Sequence, residues 1–443
     1  MRAPRERGRR SRWIGLTLSL LLVAAACGGD DEPATTTAAP GTTAGPVTTA
    51  APGTTGEPGT TAAPDTTAAG PIAEGFTFGM ILVGPQDDHG WSQAHFEGGQ
   101  YVEETTGAQM IVIDKVNPAD KPETTVEQVV DDMVAQGAQL IFATSDDMKD
   151  GIIAAAAAHP DVPMIWSSGD SALAEGKAYQ AELTNLGNIM GRMEYGKMIA
   201  GCAAALTSAT GTIGYLGPLI NDETRRLASS AYLGARQCWE SAGNDPAGLD
   251  FSVIWIGFWF NIPGVTSDPT QVVNEFYDSG ADVVISGIDT TEAIVRAGQR
   301  AGSGEPVWAV PYDYEGACAE AESICLGVPY FNWGPAYSEV VADVVNGTFE
   351  AEWQWLAPDW SDINNPDTSA VGFVPGDGLA DDDRASLDDF IGQLADGSLN
   401  LFTGPINYQD GSPFLADGEV ATDLQIWYLE QLLEGMEGAS SAG

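Results

Sequence analysis

The sequence predicts an α/β protein of two lobes, each a doubly wound parallel sheet, on three observations. Short, continuously apolar, β-prone runs alternate with amphipathic helical segments along most of the chain, the pattern of strands covered on both faces. That alternation fills about 370 residues from position 74 onward, more than a single core usually serves. A block of it also recurs with identical spacing. Val129-Val130-Asp131-Asp132-Met133 leads to Gly137-Ala138-Gln139-Leu140-Ile141 and Asp146, while Val272-Val273-Asn274-Glu275-Phe276 leads to Gly280-Ala281-Asp282-Val283-Val284 and Asp289. In each copy a glycine closes a helix, an apolar strand follows, and an aspartate lies just past the strand's carboxyl end, where open α/β sheets bind ligands. Each aspartate reads as a ligand contact, a cap for the next helix, or both.

The elements follow in order. Residues 76–83 read as the first strand, Ser92 caps a helix that ends near Gly107, and 109–113 is strand again. A helix over 123–136 is closed by Gly137, and strand 140–143, helix 147–158 and strand 162–166 complete the first half. From about 188 the same order returns: a helix to Leu206, strand 212–216, helix 222–241, strand 251–256, helix 270–279, strand 283–286, helix 291–301 and strand 307–310.

The first 73 residues belong to neither lobe. Arg2, Arg5, Arg7, Arg9, Arg10 and Arg12 form a positive start, 13–23 an apolar core, and Ala24-Ala25-Ala26-Cys27 a small-residue cleavage site, which reads as an export signal over 1–26. The apolar run is shorter than the roughly 20 residues of a spanning helix, and its ending at a cysteine suggests acylation of Cys27. Ala24-x-Ala26 also fits ordinary cleavage after Ala26. Residues 27–73 are then a lipidated cysteine followed by a disordered Thr/Ala/Pro/Gly tether with a reach of roughly 35 Å. The expected location is extracytoplasmic, held to the cell membrane by lipid.

Charge narrows the partners. With 18 Lys+Arg against 63 Asp+Glu the chain carries −45, and removing six Arg and one Glu with the signal leaves −50. Such a surface repels nucleic acid and disfavours anionic ligands, so neutral or cationic ones fit better. Four cysteines remain after Cys27; in an exported chain Cys202, Cys238, Cys318 and Cys325 read as two disulfides, paired 202 with 238 and 318 with 325. Three histidines and no metal-site spacing leave no metal or cofactor expected.

Signatures of dinucleotide, phosphate-loop, zinc-protease and serine-hydrolase chemistry are all missing, which argues for binding over catalysis. His89 beside Asp88 reads as a polar loop residue, and Asp381-Asp382-Asp383 as a solvated acidic face without calcium-loop spacing. The informative residues are aromatic and fall in strand-end loops: 84–91 with Trp91, 258–261 with Trp259 and Phe260, 311–314 with Asp313, and 332–335 with Trp333. Rings on two sides of a cleft with carboxylates at the edge suit a planar, hydrogen-bonding molecule.

These residues carry a resemblance. Val83-Gly84-Pro85 with Asp88-x-Gly90-Trp91 and His95, the run 141–145 after Gly137, Gly211-x-Ile213-Gly214-Tyr215, Trp259-Phe260, Asn332-Trp333-Gly334-Pro335 and Phe402-Thr403-Gly404-Pro405 with Asp410-Gly411 together resemble the basic membrane protein family. These are solute-binding lipoproteins of ABC importers, several of which capture purine bases or nucleosides. The resemblance implies a type I periplasmic-binding-protein fold, with lobe 1 over 74–186 plus about 314–347, lobe 2 over 187–313 plus about 348–437, and crossing strands between. It implies a ring sandwich of Trp91 with Phe260 or Trp259, acidic contacts from Asp88, Asp146 and Asp313, and a permease with its ATPase as partners of a monomer. Asp87-Asp88-His89-Gly90-Trp91 departs from the nucleoside branch's Asp-Asp-Lys-Ser-Phe, which keeps a base without ribose, or another planar solute, in play. A sensing receptor of the same fold, a sugar binder and, last, an exported enzyme are the other readings.

Overall fold

The computed structural model describes residues 75–441. The expected signal peptide, Cys27 and the tether lie outside the described residues. No helix among the described residues is long and apolar enough to cross a membrane.

The first lobe is built on β1 (Thr77–Ile81), α1 (Trp91–Thr106), β2 (Gln109–Ile113), α2 (Val126–Ala135), β3 (Leu140–Ala143), α3 (Lys149–Ala158), β4 (Met164–Ser167) and β5 (Leu186–Gly191). Burial explains the apolar runs: β3, β4 and β5 are buried along their whole length, since helices cover both sheet faces. Local signals start the helices. Thr125 and Gln128 form a reciprocal capping box at α2, and Gly137, at φ +101°, supplies the left-handed turn into β3.

The second lobe holds α4 (Met193–Thr207), β6 (Thr212–Gly217), α5 (Asp222–Ser241), β7 (Asp250–Trp255), α6 (Pro269–Asp278), β8 (Val283–Ser286), α7 (Glu292–Gly302) and β9 (Trp308–Val310). Gly280 at φ +112° repeats the role of Gly137. The chain continues through β10 (Gly327–Phe331), α8 (Gly334–Asn346), β11 (Trp353–Leu356), β12 (Val371–Pro375), α9 (Asp381–Ala395), β13 (Ile406–Asn407), β14 (Pro413–Leu415), α10 (Asp423–Trp427) and β15 (Met436–Glu437).

Two all-parallel sheets result, ordered β11-β5-β4-β3-β1-β2 and β15-β7-β6-β8-β9. In both, the first strand of the lobe lies between its second and third, so β1/β3 and β6/β8 are the places where the winding reverses. Such switch points are where open α/β sheets bind ligands. The chain passes between lobes just after β5 and along the antiparallel pair β10–β12. Trp353–Leu356, expected in the second lobe, instead pairs with β5 in the first sheet; the apolar Trp353-Gln354-Trp355-Leu356 run extends that sheet's edge and covers β5. Residues 188–191, expected as the start of a helix running to Leu206, belong instead to strand β5.

Disulfides join Cys202 to Cys238, Cα atoms 5.1 Å apart, and Cys318 to Cys325, 5.5 Å apart. The first ties α4 to α5, helices that already touch backbone to backbone. A Cβ at Gly201 would lie 1.8 Å from the Ala231 carbonyl oxygen, and one at Gly234 would lie 1.9 Å from that of Met198.

Candidate functional site

A tight cleft with about 20 Å³ of free volume lies between the carboxyl ends of the two sheets. Trp91, Ser145, Asp146 and Ser168 line it from the first lobe; Tyr215, Glu223, Trp259, Gly287, Asp289 and Tyr312 line it from the second. Trp91 opens α1 directly after the β1 loop, and Asp146 follows β3, so both flank the first switch point. Tyr215 lies in the carboxyl half of β6 and Asp289 follows β8, which places them at the second.

The repeat's two aspartates both reach the cleft, and neither caps a helix. Ser145 caps the 3₁₀ turn at Asp146–Met148 by accepting from the Asp147 N–H, and α7 starts at Thr291 without a side-chain cap. Asp289 is nine-tenths buried and its carboxylate accepts no hydrogen bond from the protein. Burial raises its pKa well above the usual carboxylate range, reinforced by Asp313 and Asp88. Asp146 is raised by burial as well, with Lys149 opposing.

Trp91 is held rigidly. Its Nε1 donates to the Thr144 carbonyl at 2.6 Å, and its ring meets Phe331 and Trp333 edge-on, with centroids 5.3 and 5.5 Å away. Trp333 sits behind it in the core, stacked on His95 at 4.1 Å, and is not part of the cleft wall. His95 is fully buried, and desolvation depresses its pKa so that the imidazole stays neutral. In the second lobe it is Trp259, not Phe260, that lines the cleft. Phe260 turns away, edge-on to Phe258 at 5.0 Å, and packs against the first lobe's hydrophobic core.

Asp88 and Asp313 stand outside the wall for different reasons. The Asp88 carboxylate is fully engaged, accepting from the backbone N–H groups of Gly90, Ser92 and Gln93 at 2.9, 3.0 and 2.9 Å, and so serves the start of α1. Asp313 is completely buried at φ +71°, clamped by backbone bonds to Pro329 and Phe331. Both its oxygens lack a partner, and burial raises its pKa well above the usual range, with Lys197 opposing. Lys197 is itself fully buried, donating to the Ser286 carbonyl at 2.7 Å with Nζ 3.1 Å from the Tyr312 ring centroid.

Sequence reasoning missed Tyr215, Glu223 and Tyr312. Glu223, on the first turn of α5, is raised by burial to about 7 despite Arg226. Gly287 is needed beside Tyr215, since a Cβ there would sit 2.6 Å from its hydroxyl.

The lobes touch at the cleft's edge. The Trp91 N–H donates to the Asp289 carbonyl at 3.3 Å, and a Cβ at Gly90 would lie 1.7 Å from that same oxygen. His89 Nδ1 meets Glu320 at 2.6 Å, and Lys177 pairs with Asp222 at 2.5 Å. The structure is therefore in a closed arrangement, a form that solute trapped between lobes would stabilise. No group of metal-ligating side chains is present among the described residues.

Comparison with known proteins agrees with this geometry. Residues 76–238 match the family model described as ABC transporter substrate-binding protein, PnrA-like. Over 364 residues the chain is 27% identical to a purine-binding protein of Brucella abortus, covering 82% of this chain and 93% of that one. It is 27% identical over 276 residues to a Haloferax volcanii protein named for glucose binding in an ABC transporter, covering 62% of each. Among solved structures, an ABC transporter solute-binding protein from Conexibacter woesei superposes with a TM-score of 0.53 at 20% identity, covering 73% of this chain and 98% of that one. One from Aeropyrum pernix gives 0.57 at 13% identity, covering 75% and 93%, and both establish the fold. Over residues 76–238 the chain is thus similar to PnrA-like ABC transporter substrate-binding proteins, a family whose members are extracytoplasmic, bind a small-molecule ligand and serve a permease with its ATPase.

Proposed function

We propose that the cleft captures a planar, hydrogen-bonding solute, a purine base or nucleoside, between Trp91 of the first lobe and Trp259 of the second. Asp146 and Asp289 then face its polar edge, and closure hands the loaded protein to the permease. The observation that carries this reading is the meeting, in one cleft, of two tryptophans from different lobes with the buried carboxylates of Asp146 and Asp289. Ring stacking of this kind contributes about 1–3 kcal/mol per base. The purine-binding name of the Brucella abortus relative supports it, and the glucose-binding name of the Haloferax volcanii relative supports a sugar as the competing ligand. Calorimetric titration of ligand-stripped protein with adenine, guanine, adenosine, guanosine and a monosaccharide panel decides between them. Heat with purines is expected; heat with sugars alone overturns the purine assignment.

Acylation at Cys27 completes the proposal, placing the lobes at the end of a tether on the membrane surface. Cys27→Ala should move the protein from the detergent phase to the aqueous phase, and equal partitioning of mutant and wild type contradicts the anchor.

A further inference from the structure

The walls of the cleft contain four aromatic rings, Trp91, Tyr215, Trp259 and Tyr312, and three carboxylates, Asp146, Glu223 and Asp289, but no lysine, arginine or histidine. We propose that the cleft selects an organic cation: a planar ligand whose positive charge is enclosed by these rings and met by Glu223 and Asp289. This rests on the reading of the cleft as the solute site and narrows the solute by charge.

Three observations carry it. Glu223 and Asp289 are each about nine-tenths buried, line the cleft, and take no hydrogen bond from another side chain or backbone group among the described residues, so their acceptor capacity is left for the ligand. Desolvated carboxylates without partners are costly, and a bound cation relieves that cost. The nearby positive charges stay off the cleft wall and offset Glu223 only in part, with one Arg226 nitrogen, Nη2, left without a partner. Arg226 is buried against Glu194 at 2.5 Å and over the Trp427 ring at 4.1 Å, and Lys197 is turned to the Ser286 carbonyl. Behind the wall Asp313 adds a fully buried carboxylate and Asp88 a partly buried one, so Lys197 faces a local excess of acid. Aromatic walls with carboxylates are the arrangement that holds ammonium and charged heterocycles, and the chain's overall −45 draws cations toward the mouth.

Matched pairs of probes test the charge alone. Adenosine is compared with 1-methyladenosine, which is protonated at neutral pH on the same ring and sugar, and nicotinamide with permanently cationic N-methylnicotinamide. Titrations use the ligand-stripped full chain. The cation of at least one pair should bind about tenfold or more tightly than its neutral partner. Asp289→Asn and Glu223→Gln should each shrink that ratio, with melting temperature measured alongside to verify folding. Equal or tighter binding of the neutral member in both pairs overturns the cation proposal, and leaves the purine reading intact where adenosine binds. Preference for N-methylnicotinamide with no binding of either nucleoside upholds the cation and overturns the purine. Failure of both cations to bind overturns the proposal.

Discussion

Gly90→Ala tests closure without touching any group that faces the ligand. In the closed structure the added methyl would sit 1.7 Å from the Asp289 carbonyl oxygen, where ordinary contact begins at about 3.5 Å. The β1 loop and the β8 loop must then separate by well over 1 Å, and the bond from the Trp91 N–H to that carbonyl, 3.3 Å long, is lost. One such hydrogen bond contributes a net of about 0.5–1.5 kcal/mol. Looser enclosure of the ligand by Trp91 and Asp289 adds to this, giving an expected loss of about 1–3 kcal/mol, or roughly 5- to 150-fold in affinity. The three atoms nearest the methyl all belong to Asp289 and Thr290 of the other lobe, so the unliganded melting temperature should stay near wild type. Calorimetry gives the affinity, and small-angle scattering of the liganded variant should show a larger radius of gyration than liganded wild type. Wild-type affinity in Gly90→Ala would refute closure as the source of binding energy.

Two further outcomes concern stability. Burial raises Glu223 from an ordinary 4.5 to about 7; an acid whose folded pKa is raised contributes stability present below the unfolded value and lost as pH rises through the folded one. The unliganded protein should therefore melt lower at pH 8 than at pH 5, and Glu223→Gln should flatten that slope; an unchanged slope contradicts the assignment. Gly234→Ala should destabilise by about 2 kcal/mol or more in urea melts, because its Cβ would lie 1.9 Å from the Met198 carbonyl oxygen at the α4–α5 crossing; a wild-type midpoint would show that the helices can part freely.

Much of this was legible in the sequence, and the failures have physical causes. The helices with capping signals and the strands with unbroken apolar runs lie close to where their residues indicate. The repeat's two aspartates, Asp146 and Asp289, both line the cleft, because its spacing encodes the distance from helix end to switch point. β5 was hidden by its own composition: Gly187, Asn188 and Gly191 read as a turn. Yet a Cβ at Gly191 would lie 2.7 Å from Val371 and 2.9 Å from Phe331, side chains of the crossing strands. Glu223 follows Asp222 on a helical first turn, where acids ordinarily complement the helix dipole, so nothing local marks it as facing a cleft. Asp88 and Asp313 were read as ligand contacts from their loops; the backbone N–H groups around Asp88 and the clamp on Asp313 exist only once distant segments are in place. The choice between Trp259 and Phe260 likewise depended on which ring the β7 exit aims inward.

The most direct measurement is mass spectrometry of the small molecule released when protein purified under native conditions is denatured. The account predicts a planar nitrogen heterocycle, carrying positive charge if the carboxylate set acts as proposed. A saturated sugar as the only molecule released would contradict it.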